Sequence, residues 1–204
     1  MNCTFTGMNY LAHAYLSFNH KEILLGNMIS DFVKGSSRFG YAVNVQHGIM
    51  LHRAIDSFTD THEATKQAKE VFRKDYRLYS GPITDIVFDH YLANSAVYFN
   101  EYSLNHFTSN VYKTLEESSA SFPPVFAQVF TYMRSENWLY NYRTQEGIRK
   151  SIRGLVRRAT FLSDSETAFH LFKEHDALLN ECFQNFFPSV KNFAKQQIEK
   201  LLAD

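Results

Sequence analysis

The chain has 204 residues, is 45% hydrophobic and 16% aromatic, and sets 21 Lys and Arg against 21 Asp and Glu. That length fits a single domain with a substantial core, and zero net charge gives no global attraction for nucleic acid or a membrane surface. The two cysteines, Cys3 and Cys182, form no CxxC pair, which excludes a thiolate zinc ribbon and fits a reducing cytoplasm.

Only eight Gly and four Pro interrupt long apolar runs, so the expected class is all-α. No apolar run reaches the roughly 18 residues of a membrane span. The start, "MNCTFTGMNYLAHAYL", lacks the basic region of a signal peptide. A second methionine, Met8, makes the first seven residues look dispensable. No linker or repeat divides the chain, so one domain over 1–204 is expected.

Residues 9–19 and 21–34 read as short helices. The first holds His13 between alanines, where a histidine is usually a satisfied core residue and becomes a ligand only in company. The second ends in "GNMISDFVKG", with Gly35 as its closing residue. Asp31 in that last turn opposes the helix dipole, and a cation is the simplest compensation.

Residues 41–59 carry Val45, Ile49, Ala54, Ile55 and Phe58 at helical recurrence. Within them, "HRAIDSFTD" places His52, Asp56 and Asp60 four apart. Residues four apart share a helix face about 6 Å apart along the axis, so His52 and Asp56 can converge on one ion. Equally, they can be an ordinary polar pair on a solvated face. Asp60 lies about 12 Å along the axis from His52, too far to share that ion on a straight helix. With Glu63 it reads as the cap of the next, highly charged helix, a role that does not exclude a catalytic one.

"SGPITDIVFDHYLANSAVYF" is a further helix with Pro82 in its first turn. Asp85 and Asp89 share a face, and His90 lies about 100° around. Acids in so apolar a segment are costly unless paired or metal-bound. The alternative for Asp89 and His90 is a buried salt bridge to an arginine such as Arg53. Helices follow over 103–117, 124–134, 145–160, 164–185 and 189–202, with Ser163 and Glu166 as a capping box and Pro188 dividing the last two. Carboxylates and imidazoles without thiolates suit Mn, Mg, Fe or Zn, and such ligands can converge in a helical bundle. No Walker loop, GxGxxG, GxSxG or HExxH occurs.

Taken together, "MNYLAHAYL", "GNMISDFVKG", "HRAIDSFTD", "ITDIVFDHYL", "SENWLYNYR" and the late "FFP" resemble the acyl carrier protein phosphodiesterase family, in order and over nearly the whole chain. The resemblance makes Met8 the family-like start. It implies a single HD-domain-like helical bundle that uses a divalent metal, with manganese preferred. The implied reaction removes 4′-phosphopantetheine from the serine of holo-acyl carrier protein. Asp31, His52, Asp56 and Asp89 are then the expected metal ligands, joined by His13 and Asp60. Asp31 and His90 are expected to act in catalysis, with Arg53 beside the phosphate.

Acyl carrier proteins are acidic. Arg149, Arg153 and Arg157, four apart, can present one basic helix face to such a partner. That face can also be a solvated one that favours its own helix end. Two other functions remain open from the residues. One is an HD-like phosphohydrolase acting on a nucleotide or another small phosphodiester. The other is a non-catalytic helical binding protein. Nothing in the residues sets an oligomeric state.

Overall fold

A computed structural model describes residues 10–159, 161–162 and 164–203. Among them there are helices and no strands, in agreement with the all-α expectation. In chain order they are α1 (Tyr10–Tyr15), α2 (Lys21–Ile29), α3 (Val43–Thr61), α4 (Glu63–Tyr76), α5 (Ser80–Asn94), α6 (Glu101–Glu117), α7 (Pro124–Ser135), α8 (Trp138–Asn141), α9 (Gln145–Arg158), α10 (Glu166–Glu174) and α11 (Asp176–Ala203). Short 3-10 turns at Ser30–Phe32 and Gly35–Gly40 join α2 to α3. Met8 and Ser163 lie outside the described residues. None of the described helices is long and apolar enough to cross a membrane.

The core forms around α3. Its residues Val45, Ile49, His52, Ile55 and Thr59 are buried at spacings of three and four, the stripe a helix needs to face an interior. α2 and α11 pack on it, and α4 and α5 complete the layer around α11. α2 and α3 approach unusually closely because each offers a glycine. A Cβ on Gly26 would lie 2.0 Å from the Val45 carbonyl oxygen, and one on Gly48 would lie 2.3 Å from that of Ile23. Any side chain there forces the backbones apart. This contact brings the end of α2 against the His52 turn of α3.

α1 and α2 end earlier than expected, at Tyr15 and Ile29, so Gly35 does not close α2, and three further boundaries differ. α3 runs on to Thr61, and the α4 cap is His62, whose Nδ1 accepts from the Ala64 amide at 3.3 Å. Asp60 is therefore not the cap. α5 stops at Asn94, and a turn follows. Pro188 lies inside α11 instead of ending a helix, and the break falls at His175. An internal proline costs about 3 kcal/mol. Burial of Phe183, Phe186, Phe187 and Val190 on both sides of Pro188 offsets that cost.

Candidate metal and catalytic site

α1, α2, the Ser30–Phe32 turn and α3 bring His13, Asn27, Asp31, His52 and Asp56 together. Asn27, fully buried, organises the group. Its Nδ2 donates to the His13 carbonyl (2.9 Å) and the Ser17 hydroxyl (3.1 Å). That fixes its Oδ1 as the acceptor 2.7 Å from His13 Nδ1. The Asn27 main-chain oxygen lies 2.8 Å from His52 Nδ1. Both partners are carbonyls, which only accept, so each imidazole carries a proton on Nδ1. Each Nε2 is thereby turned toward the same space, and the rings stack with centroids 4.0 Å apart.

That space contains carboxylates. Asp56 places Oδ1 3.2 Å from His13 Nε2 and Oδ2 3.2 Å from His52 Nε2. Asp31 Oδ1 is also 3.2 Å from His52 Nε2. A neutral ring with its proton on Nδ1 has a bare Nε2, which repels a carboxylate. Without a cation, a proton must mediate. Burial opposes charge on His52, but hydrogen bonding to Asp31 and Asp56 pushes its pKa up to about 10. Burial, and then the neighbouring His52 charge, pulls His13 down. Burial acts against the Asp56 anion, yet the two imidazoles hold its carboxyl well below the usual range. His13 Nε2 is buried 3.2 Å from Asp56 Oδ1 and makes no hydrogen bond of good geometry.

These observations fit a divalent cation. The donor atoms of His13, His52 and Asp56 all lie within 4.8 Å of one another. Two imidazole nitrogens with oxygen donors suit Mn, Fe or Zn, and hydrogen-bonded Nδ1–H groups are the usual outer support of metal-binding histidines. The orphaned His13 Nε2 is the atom such an ion would satisfy. A further acid, Asp85, lies half-buried on α5. Burial, followed by repulsion from Asp56, pushes its carboxyl up to about 8 against the pull of Lys69.

The remaining expected residues lie elsewhere. Asp89 is completely buried, and its two oxygens accept from the Leu11 and Ala12 amides at 3.0 and 2.8 Å. It therefore caps α1 just ahead of His13 and joins no ligand group. His90 Nδ1 bonds the Tyr142 carbonyl at 2.7 Å, and its ring packs edge-on against Phe172, apart from the His13–His52–Asp56 group. Arg53 is exposed and donates to the Val33 carbonyl at 3.0 Å, tying down the segment that follows Asp31. Asp60 is exposed and pairs with Lys69 at 2.7 Å. A His-Asp pair in the order typical of HD proteins, His175-Asp176, sits at the α10–α11 junction, where Asp176 accepts from the Tyr91 hydroxyl. On α9, Arg149 pairs with Glu166 and lies over Phe169, while Arg153 reaches Glu166 at 3.5 Å. Arg157 is exposed.

Asn27 and Asp85 were not among the expected site residues. Asn27 did leave a signal, as a lone amide inside the apolar run "ILLGNMI". Asp85 was visible as the partner of Asp89 at four-residue spacing, and the choice between them depended on which way α5 faces.

Comparison with known proteins agrees with the motif pattern. A family model described as acyl carrier protein phosphodiesterase matches residues 8–190. A Photorhabdus laumondii protein named acyl carrier protein phosphodiesterase is 31% identical over 191 residues, 93% of this chain and 96% of its own. Proteins of the same name from Yersinia pestis and Salmonella paratyphi A are each 30% identical, covering 93% and 90% of this chain and 99% and 95% of theirs. No solved structure matches.

Proposed function

The chain belongs to the acyl carrier protein phosphodiesterase family, and from that membership we propose that it hydrolyses the bond joining 4′-phosphopantetheine to a serine of holo-acyl carrier protein. The products are apo-carrier and 4′-phosphopantetheine. The observation that carries the reading is the buried His13–His52–Asp56 group with its orphaned nitrogen. A divalent cation held there, manganese by family preference, supplies Lewis-acid activation of water and charge neutralisation at the phosphoryl group.

The chain's own residues do the rest. Asn27 fixes both imidazoles in the tautomer that presents Nε2. Asp56, whose side chain is 37% exposed, opens the group to solvent and hence to substrate. Asp31 lies at the rim of the group beside His52 and is placed to accept the proton of the attacking water. Arg53 holds the Asp31 segment through Val33 and acts by positioning. Asp89 positions His13 by capping α1. The setting we assign is the cytoplasm, where the free, buried Cys182 stays reduced.

The test is a mass measurement on holo-acyl carrier protein incubated with the protein, with and without chelator. Loss of the phosphopantetheine mass, abolished by chelator, is expected. Hydrolysis of a small phosphodiester with an untouched carrier would transfer the same site to the small-molecule reading.

A further inference from the structure

α7 has two apolar faces. Phe126, Phe130 and Met133 are buried in the core, while Val125 and Tyr132 are exposed, with Val129 half-buried between them. Spacings of four and three put Val125, Val129 and Tyr132 on one stripe, with Trp138 of α8 beside it. Opposite stands α9, whose Lys150, Arg153 and Arg157 are all exposed. Between the two helices lies a groove of about 550 Å³, floored along α9 by Gly147, Ser151 and Gly154. Small residues on the floor keep the furrow open. One wall is therefore mainly apolar at helical spacing, with Glu136 at its end, and the other is cationic.

That combination is the complement of an acidic amphipathic helix: apolar side chains laid on α7 and carboxylates turned toward α9. An apolar stripe unmatched by charge would suit a second copy of this chain. Here the cations select a partner of opposite sign: Arg149, tied to Glu166, is withdrawn from the groove, while Lys150, Arg157 and Arg153 line it, Arg153 also reaching Glu166 at 3.5 Å. The inner face of α7 also reaches the site, because Phe126 packs 5.3 Å from Phe32, the neighbour of Asp31. We infer that the α7–α9 groove docks an acidic helix of the carrier protein. This rests on the reading of the carrier as substrate.

The test uses the full chain and the double variant Arg153→Glu/Arg157→Glu, with Tyr132→Ser as an uncharged second variant. Phosphopantetheine release from holo-carrier gives KM and kcat, and fluorescence anisotropy gives the affinity for apo-carrier. Expected are a KM raised at least about fivefold with kcat within about twofold, a weaker apo-carrier affinity in both variants, and a flattened salt dependence in the charge variant. Cleavage by the wild type with unchanged KM and affinity in both variants would overturn the groove and leave the substrate reading intact. A wild type that neither cleaves nor binds the carrier would overturn the substrate reading and the groove's occupant together.

Discussion

His52 is the residue whose chemistry depends most on what fills the site. With no cation, burial disfavours its charge, but Asp31 and Asp56 raise its pKa to about 10, so it is protonated at neutral pH. A cation taking Nε2 must displace that proton, so binding releases a proton and the affinity rises with pH up to about 10. Calorimetric titration of Mn²⁺ near pH 7 in two buffers of different ionisation enthalpy should report close to one proton released. No proton release would show that the ion does not engage His52. Residue types and spacings made His52 and Asp56 legible in the sequence, since four residues on a helix must bring them to one face. His13 was named there only as conditional, because nothing in "LAHAY" says which other helix it meets. Asn27 was visible as a lone amide in an apolar run, but its role was not legible. Its role comes from a main-chain oxygen and an amide that serve two rings on two other helices, and no linear spacing encodes that.

At the scale of elements, α1 is a six-residue helix that cannot stand by itself. Asp89 reaches across from α5 to bond its first amides, so the placement of His13 depends on a residue that touches neither the imidazole nor the proposed ion. Asp89→Ala should therefore destabilise the protein by about 3 kcal/mol, from two lost hydrogen bonds to a buried acid. Chemical denaturation checks this, and unchanged stability would remove the capping role. Asp56→Ala, at a partly exposed ligand, should instead retain most of the stability and lose metal affinity. The sequence suggested the reverse kind of role for Asp89, as a ligand. An acid in an apolar helix announces that something must satisfy it, but amide donors and a cation meet that need equally well. Helix boundaries were legible where capping chemistry is local, as at the Pro124 start of α7. They were illegible at Pro188, where tertiary burial of the flanking phenylalanines outweighs a local helix breaker.

At the scale of the whole molecule, the all-α class followed from few breakers and long apolar faces. The order of the motifs along the chain pointed to the family that the comparisons then matched. What the linear pattern did not reveal is how the bundle sorts its acids and bases. The α2–α3 glycine contact draws Asn27, Asp31, His52 and Asp56 to one place, while His90 and Asp60 are carried elsewhere by helices that also serve the core. Of the basic residues expected on one face of α9, Arg153 and Arg157 line the groove while Arg149 turns to Glu166, and the opposite wall on α7 was not legible, because α8 separates the two helices along the chain.

The most direct test of the account is a manganese titration of metal-stripped wild type and Asp56→Asn, with ion binding and phosphopantetheine release read in the same samples. Wild-type turnover should rise in step with ion occupancy. Asp56→Asn should lose both affinity and turnover while its circular dichroism remains helical. Wild-type manganese affinity in Asp56→Asn, or full turnover by the stripped wild type, would contradict it.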